Sequence, residues 1–282
     1  MVKISKSLTV IFSIIINITY LSMKKILFIA RADHLTHPTI KKFLALSSNG
    51  KYIVKFVVDE QFFDIDLTNT EIICLKSASA YNNKKIWKKI QEFPSIRVIN
   101  SLNATQICRN RMKINLIMEE LSIPIPKTAY NLRDFLRLKS SIIVKNKLAD
   151  EHEIQIYSSQ ESILVLDFEK NIYQEFIPND GFDYKYYGIG EKVFALRKRA
   201  SQFKHHKEKV SENRQEIRPD PNLIKFVKRL KKKLTLDIYG IDFIKANDQK
   251  YYAIDVNLFP GLIGIEGIAI EWLNYFESIL NN

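Results

Sequence analysis

The chain has 282 residues, 46% of them hydrophobic and 26% charged. This excludes a disordered or fibrous protein and leaves room for about two compact units of roughly 150 residues. A net charge of +12 suits anionic partners or a solvated lysine-rich surface. No arginine-rich helix or aromatic RNA-binding motif accompanies it, so nucleic acid is not expected as a partner. Two cysteines, Cys74 and Cys108, are too few for a disulfide framework or a zinc site and fit a reducing, cytoplasmic setting.

Lys3 and Lys6 precede an apolar run over residues 8–21 that is shorter than a bilayer-spanning helix and is followed by no small-residue cleavage site. Residues 1–22 therefore read as a leader or a mis-called start, with Met23 opening the folded chain; a membrane role is expected only if this leader is a real anchor. From residue 23 to 98, strand patterns at 26–30, 52–58 and 71–75 alternate with helical spacing at 38–46 and 84–92. That alternation predicts an N-terminal parallel α/β domain. His34 and His37 follow the first strand, where α/β sheets place binding loops.

Residues 101–121 have helical spacing, stopped by Pro124 and Pro126. Strands are predicted at 141–145, ending in Lys145, and at 153–157, with a helix at 160–166. Further strands are predicted at 172–177, 184–189 and 193–198, the last two forming a hairpin across Gly190. Residues 202–221 are polar and basic and read as a loop, carrying Lys204, His205, His206 and Lys207. A basic amphipathic helix follows at 222–234, then strands at 239–245 and 251–256 around an Asn247-Asp248 turn, and a closing helix at 268–280.

The last two strands each carry a carboxylate in an apolar run: Gly240-Ile241-Asp242-Phe243-Ile244 and Tyr251-Tyr252-Ala253-Ile254-Asp255-Val256-Asn257. Residues two apart on a strand share a face, so Asp255 and Asn257 point the same way. Antiparallel pairing would bring Asp242 to join them. Three hard oxygen ligands of this kind suit Mg²⁺, which leaves coordination positions for phosphate oxygens. A carboxylate buried in an apolar strand needs such a partner, because bare charge is costly to bury.

The stretch from Tyr251 through Phe259-Pro260-Gly261 resembles the D-x-N-x-x-P-G ending of ATP-grasp enzymes. Tyr173-Gln174-Glu175-Phe176-Ile177 resembles their adenine hinge strand, and Lys145 their phosphate-reaching lysine. Cys108-Arg109-Asn110-Arg111-Met112-Lys113, with Ile123-Pro124-Ile125-Pro126, resembles the helix and turn that open the fold. The resemblance covers residues 99–265. It implies an α/β (α+β) ATP-grasp fold: an N-terminal α/β domain at 23–98, a central lobe at 99–172 and a C-terminal lobe with the metal site at 173–282, the two lobes enclosing ATP. Lys113, Lys145, Gln174, Glu175, Phe176, Ile177, Asp183 and Lys185 are then expected at the nucleotide. One or two Mg²⁺ ions are expected on Asp242, Asp255 and Asn257.

Two branches of the superfamily fit. Asn110-Arg111, Leu148-Ala149-Asp150, His152-Glu153, Lys185 and Arg197-Lys198-Arg199-Ala200-Ser201 resemble the inositol tris/tetrakisphosphate kinases. Gly181-x-Asp183-x-Lys185 resembles the G-x-D-x-R of RimK-like carboxylate–amine ligases, but residues 148–154 hold no glycine and no N-x-x-x-G-G follows Arg199. The expected activity is transfer of the γ-phosphoryl group to an anionic small molecule. Ligation of a carboxylate or peptide to an amine through an acyl phosphate is the alternative, and an inactive ATP-binding module the third reading. Lys185 would supply fixed charge at the reacting phosphate. Arg197 and Arg199, alternating on one strand, would form a two-pronged anion clamp, and His152 would hydrogen-bond the substrate.

Overall fold

The computed structural model describes residues 23–47, 51–148, 154–200 and 214–281; the leader at 1–22 lies outside the described residues. Contacts divide the chain into two units, Met1–Ile99 with Ala269–Asn282, and Asn100–Ile268.

In the first unit, β1 (Lys25–Ile29), β2 (Ile53–Val57), β3 (Thr70–Leu75) and β4 (Arg97–Ile99) form a wholly parallel sheet in the order β2-β1-β3-β4. Strand β1 is an inner strand, and Ile26 to Ile29, which alternate between its two faces, are all buried. That is why its sequence is a continuous apolar run rather than an alternation. The connections carry α1 (Pro38–Ser47), α2 (Ala78–Asn82) and α3 (Lys84–Gln91). Pro38 opens α1, where a missing N–H costs nothing. Ser77 and Asn83 cap the other two, accepting from the Ala80 and Lys85 amides at 3.1 and 3.0 Å.

The second unit opens with two helices, α4 (Leu102–Cys108) and α5 (Arg111–Glu120), where the sequence pattern predicts one. The break is at Asn110, which leaves helical backbone (φ −102°, ψ 105°) so that its side chain accepts from the Lys113 amide at 3.0 Å and caps α5. Next come β5 (Thr128–Ala129), α6 (Leu132–Phe135), β6 (Ile142–Asn146), β7 (Ile154–Tyr157) and β8 (Asn171–Glu175). The strands form an antiparallel sheet ordered β5-β8-β6-β7. The helix expected at 160–166 is only a 3-10 turn, Gln160–Ser162. Leu164 and Val165 are 94% and 79% exposed, so no apolar face is buried to stabilise a longer helix.

The larger sheet holds β9 (Asn179–Ile189), β10 (Lys192–Arg199), β11 (Arg214–Ile217), β12 (Ile238–Ala246) and β13 (Tyr251–Leu258). Its order is β11-β10-β9-β12-β13, antiparallel throughout. Residues 214–217, expected in a loop, are ordered by pairing with β10; residues 201–213, including Lys204 to Lys207, lie outside the described residues. Helix α7 (Pro221–Leu234) buries Leu223, Val227, Leu230 and Leu234 in a core shared with Tyr239, Ile241 and Phe243 of β12. Each such side chain contributes about 1.5–3 kcal/mol. Asn100 fixes the start of β12. Its side chain, fully buried, donates to the Ile238 carbonyl at 2.7 Å and accepts from the amides of Asp237 and Ile238 at 2.7 and 3.2 Å.

The closing helix α8 (Ile268–Leu280), assigned by the sequence pattern to the C-terminal lobe, belongs instead with the N-terminal sheet. Trp272 and Phe276 meet Phe43 edge-on, with ring centroids 5.8 and 5.7 Å away, and Phe276 also meets Phe28 edge-on. Residues 100–268 form one contact unit.

Candidate active site

Strands β9, β12 and β13 run antiparallel, and their register places Lys185 opposite Asp242 and Asp242 opposite Asp255. Directly opposed residues share a face, so one sheet face carries a lysine and two carboxylates in a row, with Asn257 two residues beyond Asp255. A bulge sits at this point. Asp242 pairs with Asp255 but Phe243 pairs with Ala253, so Ile254 is the extra residue on β13. Its carbonyl accepts from the Lys145 ammonium at 3.2 Å. The row opens into a cleft of about 580 Å³, lined also by Gln174, Glu175, Phe176 and Ile177.

Within the cleft Lys185 and the Asp242 Oδ2 form an ion pair, and the Asn257 amide donates to the same oxygen at 3.5 Å. Burial works against the Lys185 charge, but Asp242, with Tyr187 and Asp183, offsets it and the pKa ends above the ordinary lysine value. Burial and the neighbouring Asp242 push Asp255 above the usual carboxylate range. Burial, then Asp242, does the same to Asp183. Lys145 is held by the Gln174 Oε1 at 2.8 Å, and burial pulls its pKa down to about 8. Gln174 in turn donates to the Thr128 hydroxyl at 2.9 Å, which fixes which end of the amide faces the lysine.

Asp242 Oδ1 is buried with no hydrogen-bond partner, an arrangement that is costly unless something cationic completes it. Asp242, Asp255 and Asn257 therefore fit a hard divalent cation. Among the described residues there is no group of three or more His, Cys, Asp or Glu side chains placed to hold a metal; the candidate set is two carboxylates and an amide. Five cations and four carboxylates line the cleft. That balance is far short of matching a triphosphate, and a divalent ion narrows the gap.

Not every residue marked in the sequence reaches the cleft. Arg197 and Arg199 lie on the opposite sheet face: Arg197 pairs with Tyr184 and stacks over Phe182 at 5.1 Å, and Arg199 is exposed. Strand alternation puts Lys198 and its register partner Asp183 on the cleft side instead, 3.5 Å apart. Lys113 is exposed on α5, whereas Arg111, on the buried side of the same helix, lines the cleft and donates to the carbonyls of Asn146 and Leu148 at 2.7 and 3.0 Å. Arg214, hidden in the sequence by its polar surroundings, also lines the cleft; an alternating Arg214–Glu216 pattern was the one available signal. His152 lies outside the described residues. His34 and His37 sit in and beside a 3-10 turn, Ala32–Thr36, of the first unit; burial, then Lys76, lowers His34 to about 4, so it is neutral at physiological pH. No helix among the described residues is long and apolar enough to cross a membrane.

Two antiparallel sheets, with a buried lysine from one facing paired carboxylates from the other, make up the architecture of an ATP-grasp fold. Known structures bear this out at the level of fold. A RimK-domain ATP-grasp protein from Sphaerobacter thermophilus matches with a TM-score of 0.65 at 11% identity, covering 92% of this chain and 100% of its own. The ATP-grasp ligase PsnB, solved with a precursor variant, Mg and ADP, matches with a TM-score of 0.64 at 14% identity over 92% and 98% of the two chains. In sequence the resemblance is to kinases. Residues 198–278 match the inositol 1,3,4-trisphosphate 5/6-kinase ATP-grasp domain. Inositol-tetrakisphosphate 1-kinase 1 of Oryza sativa subsp. indica is 23% identical over 248 residues, 70% of each chain.

Proposed function

We propose that this protein transfers the γ-phosphoryl group of Mg-ATP to a hydroxyl of an inositol phosphate or a closely similar anionic acceptor. The observation that carries the reading is the Lys185–Asp242–Asp255 row with its buried, unsatisfied Asp242 oxygen, whose two carboxylates lie in the span that matches the inositol-phosphate kinase domain. Asp242, Asp255 and Asn257 would hold Mg²⁺, which would supply Lewis-acid charge neutralisation at the phosphates. The chain's own groups do the rest by position. Gln174 to Ile177 receive the base, with Gln174 also fixing Lys145. Lys145 reaches the phosphates from β6, and Lys185, anchored by Asp242, places a fixed cation at the transferred group. Phosphoryl transfer needs little covalent chemistry from the protein, so orientation and fixed charge account for catalysis, each preorganised contact contributing about 3 kcal/mol.

A second reading, ATP-dependent ligation of a carboxylate to an amine, is favoured by the ligases among the structural matches. A screen for ADP release separates the two. Release dependent on inositol phosphates, with a phosphorylated polyol as product, supports the kinase. Release that requires both a carboxylate and an amine replaces it with the ligase, and nucleotide binding with no release on either panel rejects turnover altogether.

A further inference from the structure

Helix α7 carries no acidic residue over Pro221–Leu234. Its buried face packs on Tyr239, Ile241 and Phe243 of β12. Asp242 lies between these residues and points the other way, into the cleft. Helix α7 therefore covers the face of the sheet that the cleft does not use. Its outward face holds Lys225, Lys228, Arg229 and Lys232, all exposed. They recur at i, i+3, i+4 and i+7 and make one stripe about 10 Å long.

The fold itself does not call for this stripe. Lys231 to Lys233, in the last turn, suit the negative end of the helix, and Lys231 and Lys233 are ion-paired with Glu191 and Glu120. Lys225, Lys228 and Arg229 lie outside that turn. Lys225–Arg229 and Lys228–Lys232 are like charges four residues apart, which weakens a helix. Arg229 lies over the Phe226 ring, 4.9 Å from its centroid, and Lys228 adds to the field on Glu191, which Lys231 already occupies. Lys225 and Lys232 make no ion pair or hydrogen bond among the described residues. Three of the four cations are lysines, hydrated point charges suited to a diffuse negative surface rather than to bidentate phosphate reading. Four or more Lys and Arg on one helix face suit anionic lipid headgroups. The sequence also holds an apolar run at residues 8–21 behind Lys3 and Lys6, too short to span a bilayer. A weak apolar anchor and a basic patch together give stable attachment where either alone is reversible.

We propose that the stripe of Lys225, Lys228, Arg229 and Lys232 docks this protein on an anionic lipid bilayer and leaves the cleft open on the opposite face of the sheet. Docking is by charge alone, since the apolar face of α7 is already buried. It is therefore sensitive to salt and independent of which acceptor the cleft takes.

Full-length protein is floated at about 0.1 M salt with vesicles of phosphatidylcholine alone, or with about one-third phosphatidylserine. Wild type is expected on the anionic vesicles only, and to leave them at about 0.5 M salt. Each lysine neutralised costs about fivefold in affinity. Lys225→Gln/Lys232→Gln should thus bind about 25-fold more weakly, with a Tm at or slightly above that of wild type because two like-charge pairs are relieved. Lys225→Arg/Lys232→Arg should stay within twofold of wild type. So should Lys84→Gln/Lys85→Gln, which removes the same charge from exposed positions of α3. Binding to neutral vesicles, no binding to anionic ones, equal loss in the α3 variant, or unchanged binding in the stripe variant overturns the proposal. Tighter binding to a duplex oligonucleotide at the same salt also overturns it, and assigns the stripe to nucleic acid.

Discussion

Replacing Asp255 by Asn neutralises one of two carboxylates that face each other across β12 and β13. Side chains in that register lie about 5 Å apart, and two full charges at that distance repel by about 3 kcal/mol at an effective dielectric near 20. Arg111, Lys145 and Lys185 offset part of this, which leaves a net relief on the order of 1 kcal/mol. At about 2–4 °C per kcal/mol for a chain of this size, Asp255→Asn is expected to unfold at the wild-type Tm or a few degrees above it in the absence of metal and nucleotide. The pH dependence has a defined sign. Asp255 is pushed up in the folded state, so the native protein holds its proton longer than the unfolded chain does. The resulting penalty is absent in acid and grows as pH rises through the folded-state value. Wild type should therefore show a declining stability across that window that Asp255→Asn lacks. Mg-ATP at a hundred times its Kd stabilises the wild type by about 2.7 kcal/mol; the variant should gain almost nothing and release almost no ADP. Scanning calorimetry from pH 4 to 8, with and without Mg-ATP, reads all of this. A wild-type nucleotide shift in the variant, or a marked drop in its metal-free Tm, refutes the metal assignment.

The face of β10 is tested by a pair of variants: Lys198→Met should raise the acceptor KM about tenfold or more, and Arg199→Ala should leave it within twofold, with the reverse order placing the clamp on the other face. Lys145, pulled down to about 8 by burial, is charged below that pH. Nucleotide affinity by calorimetry should be flat up to about pH 8 and then fall by up to roughly tenfold per unit, whereas Lys145→Met should bind weakly with no such slope; a sloped profile in the variant assigns the titration elsewhere. At Gly188 an added Cβ would lie 2.3 Å from the Tyr239 ring, so Gly188→Ala should cost roughly 1–3 kcal/mol of stability, and adding Tyr239→Leu should recover part of the lost Tm. A wild-type Tm for Gly188→Ala alone would show that the ring moves aside freely.

What the sequence determined by itself follows from short-range rules. Continuous apolar runs such as residues 26–29 dictated buried parallel strands, and Asp255 and Asn257 had to share a face because strands alternate with period two. The same rule made Arg197 and Arg199 a pair, but could not say which face they occupy: alternation fixes relative parity, and only pairing with β9 and β12 put Lys198 beside Asp183 and turned both arginines away. Helical spacing over residues 101–121 was equally blind to Asn110, whose cap redirects the chain and brings Arg111 rather than Lys113 to the cleft. Arg214 carried little signal because β11 has no apolar face of its own and exists through its hydrogen bonds to β10. Helix α8 reads the same whichever sheet it covers; the Phe28 and Phe43 rings decided its place, since an apolar helix face packs where matching aromatic surface is left uncovered. Local periodicity thus named the candidate metal ligands, while strand partners and long-range packing selected the cations that face them.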